Sequence, residues 1–102
     1  MPIVHIVLWK LNGEQPSTHI STLQQAARAM VGTIPGLRKC DLGPPLESTK
    51  HRNAGWELML YAELDDESAL ALYADHPAHV AFKELTAPYN VEVMAFDIES
   101  PL

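Results

Sequence analysis

The chain has 102 residues, an apolar fraction of 47% and a formal net charge of −6. This length is typical of one domain, and the apolar fraction is too high for a disordered protein, so we expect a single domain over residues 1–102. The acidic balance, with only 7 Lys and Arg and no basic stripe, argues against a surface that binds nucleic acid.

The single cysteine and the N-terminal segment indicate the cellular compartment in which the protein is expected. Cys40 is the only cysteine, which rules out an internal disulfide and suits a reducing environment. Residues 2–10 are apolar, but they lack a basic leader and a cleavage site and are too short to cross a bilayer. We therefore expect a cytoplasmic protein that has no membrane partner.

Apolar periodicity and turn residues predict four strands and two helical segments. The strands are expected over residues 2–10, 37–42, 55–63 and 90–98. The first helix runs from Ser17 or Thr18 to about Gly32 and lies between the first two strands. The second helix starts at Asp65 or Asp66, bends at His76-Pro77 and continues over 78–85. The order β-α-β-β-α-β is that of the ferredoxin-like α+β fold, a four-stranded antiparallel sheet with helices on one face.

The first strand is apolar on both faces, which predicts that both faces are covered. Ile3, His5, Val7 and Trp9 share one face, and Val4, Ile6 and Leu8 share the other. The second set is purely aliphatic, so we expect it to lie under the helices and His5 to point away from them. A second copy of the chain is the simplest cover for the remaining face, which predicts a homodimer whose two sheets close a barrel around a cavity.

Three side chains are candidates for acid–base chemistry in that cavity. His5 interrupts an apolar strand face and is either a hydrogen-bonded core histidine or a proton carrier. Tyr73 and His79 lie on either side of Pro77, and a bend there brings them to one side. Either they assist catalysis, or Tyr73 simply packs and His76 caps the helix that follows.

Other kinds of site have weaker support in the sequence. His76 and His79 have a spacing that suits a metal pair, but no third-ligand motif accompanies them, so we expect no metal. The glycines are dispersed and form no phosphate loop or dinucleotide fingerprint, so we expect no cofactor. Cys40 has no basic neighbour on its own face that would activate its thiol.

Four segments of the chain carry a resemblance to a known family. They are His5-Ile-Val-Leu-Trp-Lys10, Ile34-Pro-Gly36, Tyr73-Ala-Asp-His76-Pro-Ala-His79-Val-Ala-Phe82 and Phe96-Asp97. These segments resemble the stress-responsive dimeric α/β-barrel family. The resemblance covers nearly the whole chain and implies the homodimeric ferredoxin-like fold. A plant member of the family is a polyketide cyclase that performs an intramolecular aldol condensation without a cofactor.

By position, the resemblance implies that His79 is the catalytic base, that Tyr73 is its phenol partner and that His5 lines the pocket. We expect the rest of the substrate pocket to be apolar. Its expected residues are Val7, Trp9, Trp56, Leu58 and Phe82. Leu58 stands where the cyclase has a further histidine, which puts the identical substrate in doubt.

The resemblance thus implies a cyclase or lyase for a polyketide-like carbonyl substrate. The alternatives are a related isomerase or decarboxylase, and a non-catalytic stress-responsive dimer that holds a small apolar ligand.

Overall fold

A computed structural model describes residues 1–13 and 15–101 of the chain. The elements are β1 (Ile3–Leu11), α1 (Ser17–Ala29), β2 (Leu37–Gly43), β3 (Leu58–Leu64), α2 (Glu67–Asp75), α3 (Pro77–Thr86) and β4 (Asn90–Glu99), with short 3-10 turns at Lys50–Arg52 and Ala87–Tyr89. Their order confirms the predicted α+β ferredoxin-like arrangement. The third strand starts three residues later than expected, because Ala54 and Gly55 both adopt positive φ in the turn before it.

The four strands form one sheet in the order β2-β3-β1-β4, and each pairing is antiparallel. β1 therefore lies in the interior of the sheet, between β3 and β4. His5 pairs with Ala62 of β3 on one side and with Asp97 of β4 on the other. This central position places the His5 imidazole next to residues that are far away in sequence.

The helices cover the face of β1 that carries His5, so the predicted orientation of this strand was wrong. His5 is 8% exposed and Trp9 is 4% exposed. The reason lies in β3. Its buried residues Leu58, Leu60, Ala62 and Leu64 alternate along one face and pair with Trp9, Val7, His5 and Ile3. The opposite face of β3 carries the carboxylate of Glu63, which burial under helices would leave without water. The apolar pattern of β1 alone could not reveal which of its two faces the helices cover.

The sheet face that the helices leave open is largely apolar, and we refer to it as the outer face. On β4, Met94, Phe96 and Ile98 pair with Leu8, Ile6 and Val4 of β1, and Met59 of β3 pairs with Leu8. The side chain of Phe96 is 63% exposed, and Met59, Met94 and Ile98 are between 41% and 47% exposed. Contiguous exposed apolar surface of this kind is typical of interaction sites.

Gly36 fixes the approach of α2 to the start of β2. Its φ is +83°, a left-handed conformation that favours glycine. A Cβ at this position would lie 2.5 Å from the Cβ of Ala69, which is buried in the first turn of α2. The Gly36 carbonyl also accepts a hydrogen bond of 2.9 Å from the Asp65 amide. Glycine is therefore needed both for the turn and for the close contact between these elements.

We expect Gly36→Ala to destabilise the protein more than Gly32→Ala. Both substitutions place a side chain at positive φ, which costs about 1–2 kcal/mol, but nothing lies within 4 Å of a Cβ at Gly32. The clash with Ala69 should add about 1–3 kcal/mol at Gly36 only. Urea denaturation of the two variants measures the difference, and equal losses of unfolding free energy would contradict the packing role of Gly36.

Candidate active site

His5, Tyr73 and His79 meet in one place, between the sheet and the helices of a single chain. The ring centroids of His5 and Tyr73 are 5.4 Å apart in an edge-to-face arrangement, and those of Tyr73 and His79 are 4.1 Å apart. Tyr73 thus lies between the two imidazoles. We had expected these residues at a cavity enclosed between two copies. The cavity that they line instead lies on the helix side of the sheet.

The break between α2 and α3 brings Tyr73 and His79 together. His76 adopts an extended conformation (φ −65°, ψ 137°) before Pro77, which is the first residue of α3. The His76 Nδ1 accepts a hydrogen bond of 3.0 Å from the Ala78 amide. His76 therefore caps α3, as one of the two interpretations of the sequence had it. Its imidazole positions the helix that carries His79.

The His79 imidazole is oriented by the end of α2. Its Nδ1 lies 3.1 Å from the Ala74 carbonyl oxygen. Since a carbonyl only accepts, Nδ1 is the donor, and the lone pair of the neutral ring is on Nε2. Burial lowers the pKa of His79, and the positive charge of Lys83 and the nearby His5 lower it further, against the opposing effect of the Ala74 carbonyl. The ring is therefore neutral near pH 7 and has a basic nitrogen.

The Tyr73 side chain is buried, with 1% exposure. Its hydroxyl is buried and has no hydrogen-bond partner among the described residues. Burial raises the pKa of Tyr73, and the neighbouring Cys40 side chain and the Asp97 carboxylate raise it further. The phenol therefore stays protonated and is an O–H donor without an acceptor among the described residues. A tyrosine that only packs normally finds a partner for its hydroxyl.

Asp97 joins this group from β4, although the sequence analysis did not select it as a site residue. Its Oδ1 accepts a hydrogen bond from His5 Nδ1. A carboxylate in this position fixes the orientation and the tautomer of the imidazole. The segment Phe96-Asp97 was part of the family resemblance, but its pairing with His5 depends on the register between β1 and β4. Nothing in the local pattern of either strand indicates that register.

The cavity beside these residues has a volume of about 390 Å³. Its lining comprises His5, Val7, Trp9, Leu60, Tyr73, His79, Phe82, Lys83, Thr86, Ala87, Asn90, Val93 and Ala95. Val7, Trp9 and Phe82, which we expected in the substrate pocket, line this cavity. Trp56 and Leu58 line a different groove, near Pro44 and Pro45. Leu58 packs in the core at 2% exposure, and Trp56 precedes β3 and lies under the Lys10 ammonium.

Three further observations concern the described part of the chain. Within residues 1–13 and 15–101, no three His, Cys, Asp or Glu side chains are grouped so that they would hold a metal ion. Over the same residues, none of the helices has the length and apolar character needed to cross a membrane. Cys40 is buried, and its burial raises the pKa of the thiol to about 12, with a smaller contribution from Asp41.

Solved structures with the same fold cover almost the whole chain. A dimeric protein of unknown function from Bacteroides fragilis is 27% identical, with a TM-score of 0.82 over 97% of this chain and 96% of its own. A dimeric ferredoxin-like protein from Thermobifida fusca is 25% identical, with a TM-score of 0.82 over 98% and 92%. A hydroxynitrile lyase from Passiflora edulis is 12% identical, with a TM-score of 0.81 over 99% and 95%, and shows a similarity of fold alone.

The comparison of sequences identifies the family. None of the curated proteins matches the sequence. The family described as Stress responsive A/B Barrel Domain matches residues 3–100, a span that includes β1, the His76-Pro77 break and β4. The chain therefore belongs to the stress-responsive α/β-barrel domain family.

Proposed function

We propose that this protein is a lyase or cyclase that acts on a carbonyl substrate by acid–base chemistry in the cavity between the sheet and the helices. One observation carries the proposal. A neutral His79 with a basic Nε2 and a buried Tyr73 hydroxyl without a partner line the same cavity. A hydroxynitrile lyase that shares this fold supports the assignment to an enzyme of this class.

The proposed reaction begins with proton removal by His79. Its Nε2 takes a proton from the carbon between two carbonyl groups of the substrate, and the electron pair moves onto a carbonyl oxygen to form an enolate. The Tyr73 hydroxyl donates a hydrogen bond to that oxygen, where a positioned donor stabilises the developing charge. The enolate carbon then bonds to a second carbonyl carbon of the same substrate molecule, and His79 returns the proton to the new alkoxide.

A polyketide-like substrate suits an imidazole base. A carbon flanked by two carbonyl groups is acidic enough for a group of near-neutral pKa, and general base catalysis is most efficient under such a match. His5 acts as a positioning residue in this scheme. Asp97 orients its imidazole, and the edge of that ring holds the Tyr73 ring in place.

A non-catalytic, ligand-binding dimer was the alternative interpretation, and the cavity bears on this choice. The volume of the cavity, about 390 Å³, lies in the size range of small-molecule sites and suits either function. A site for an apolar ligand alone, however, needs no Tyr73 and His79 side by side in its lining. The Tyr73 hydroxyl also costs stability if no ligand ever binds it.

We further propose that two copies pair through the outer face. The solved relatives from Bacteroides fragilis and Thermobifida fusca are dimeric. In this chain the outer face presents apolar side chains from three adjacent strands, including the largely exposed Phe96. Burying such a patch against its own copy forms an isologous interface. The active-site cavity then lies outside the interface, once in each copy.

We expect His79→Ala to reduce turnover by a factor of about 10²–10⁴, the usual contribution of a positioned general base. The assay is cyclisation of a linear poly-β-keto N-acetylcysteamine thioester, followed by liquid chromatography with mass detection against a protein-free blank. His51→Ala is the matched control, because His51 lies exposed in the Lys50–Arg52 turn.

The wild-type protein should also keep more than half of its maximal rate at pH 6.5, because the lowered pKa leaves most of His79 unprotonated there.

Two results would contradict the assignment of His79. The first is a wild-type rate no higher than the blank. The second is a His79→Ala variant that remains folded and retains wild-type turnover. Near-ultraviolet circular dichroism establishes that the variant is folded.

We expect Tyr73→Phe to separate catalysis from stability. Removal of the hydroxyl should lower turnover about 10²–10³-fold, as loss of an oxyanion donor does. The free energy of unfolding should stay the same or rise, since the lost hydroxyl is buried and has no partner among the described residues. Tyr61→Phe is the control, because its hydroxyl donates to Glu63 on the outer face, away from the cavity. A loss of more than about 1 kcal/mol of stability in Tyr73→Phe would indicate a structural role instead.

We expect Phe96→Glu to convert the dimer into a monomer, because it places a charge in the centre of a desolvated interface. Sedimentation velocity should give a mass of two chains for the wild type and of one chain for the variant. Leu72→Glu is the control, since Leu72 is an exposed apolar residue of α2, 47% exposed and outside the sheet. A monomeric wild type, or a dimeric Phe96→Glu variant, would rule out pairing through this face.

A further inference from the structure

A second unpaired polar atom lines the cavity that holds Tyr73. In the described part of the chain, the buried side-chain polar atoms without a hydrogen-bond partner are the Tyr73 hydroxyl and the Asn90 Oδ1. Both residues line the same cavity. Buried polar groups in native proteins are nearly always satisfied, so each exception needs an explanation. Two exceptions on one cavity wall point to a ligand that satisfies both.

The two residues approach the cavity beside different parts of β1. Tyr73 contacts His5 near the start of β1, whereas Asn90 begins β4 and pairs with Leu11 at the end of β1. The cavity therefore extends along β1. Its wall between the two ends is apolar and comprises Val7, Trp9, Leu60, Phe82, Val93 and Ala95.

The local backbone explains why Asn90 is available to a ligand. It follows the 3-10 turn Ala87–Tyr89, and the register between β1 and β4 shifts between Lys10 and Leu11, next to its pairing partner. Irregular pairings of this kind re-aim side chains beside binding sites. Thr86 does not satisfy Asn90, because its hydroxyl donates to the Lys83 carbonyl at 3.1 Å.

We propose that Asn90 determines substrate specificity by accepting a hydrogen bond from a hydroxyl or N–H group at the end of the substrate remote from the reacting carbonyl. The substrate class is then an elongated molecule with a carbonyl at one end, an apolar or aromatic middle and a hydrogen-bond donor at the other end. The placement of the carbonyl beside Tyr73 and His79 rests on the proposed function. The donor beside Asn90 rests on the unpaired Oδ1 alone.

Two ketones that differ by one hydroxyl group test the proposal by binding alone. They are 4-(4-hydroxyphenyl)butan-2-one and 4-phenylbutan-2-one, each titrated into the full-length protein by isothermal calorimetry. The wild type should bind the hydroxylated ketone roughly 3- to 10-fold more tightly, the range expected for one net hydrogen bond. Tyr73→Phe should weaken both ketones equally and leave their ratio unchanged.

Variants of Asn90 assign the preference to this residue. Asn90→Leu and Asn90→Ala should bind the two ketones with equal affinity, because neither variant can accept the hydrogen bond of the hydroxyl group. Asn53→Leu is the matched control and should keep the preference, because Asn53 lines the groove near Pro44 and not this cavity. Thermal melting should show no loss of stability in Asn90→Leu, since the substitution removes an unpaired buried atom.

Three results would overturn the proposal. They are equal wild-type affinities for the two ketones, no binding of the hydroxylated ketone at millimolar concentration, and a preference that persists in both Asn90 variants. Because these measurements need no turnover, they are independent of the test of the proposed function. An intact His79→Ala activity together with a preference that depends on Asn90 would refute the reaction and leave the specificity assignment standing.

Discussion

Pro77 has no amide hydrogen, and the residue before a proline is disfavoured in helical geometry, so the helix that carries Tyr73 cannot continue through His76. In an unbroken helix, side chains six residues apart would point about 120° away from each other. The break instead brings the rings of Tyr73 and His79 to 4.1 Å. The His76 Nδ1 stabilises this geometry by accepting the hydrogen bond of the Ala78 amide. The contact between the proposed base and its phenol partner depends on this one interruption.

The break was predictable because its cause is local. His76-Pro77 indicates the end of one helix and the start of another without reference to the rest of the chain. The order of the elements was predictable for the same reason, since each strand and helix shows its own periodicity. The orientation of β1 was not. Val4, Ile6 and Leu8 are as apolar as the face that carries His5, and the choice between the faces is made by β3, where Glu63 cannot lie under the helices.

The lining of the cavity follows the same division between local and non-local information. Val7 and Trp9 alternate with His5 on one strand, so they were predictable once His5 was assigned to the site. The absence of Trp56 from this lining was not predictable, because Trp56 precedes β3 in a turn rather than continuing the strand. The pairing of β4 with β1 brings Asn90 to the cavity and Asp97 to His5, and that pairing contains an irregularity between Lys10 and Leu11. Strand register and bulges depend on the whole sheet.

Burial has opposite effects on the two groups that the reaction needs. The same apolar surroundings lower the pKa of His79 and raise the pKa of Tyr73. A neutral imidazole is a base and a neutral phenol is a donor, so desolvation sets both groups in the required state near pH 7 without a further ionisable partner. Separation of two pKa values by one environment is how acid and base roles are commonly divided in active sites. The cost is a buried Tyr73 hydroxyl that finds no partner among the described residues. In the proposed reaction a substrate oxygen accepts the hydrogen bond of this hydroxyl, and that contact would offset the cost.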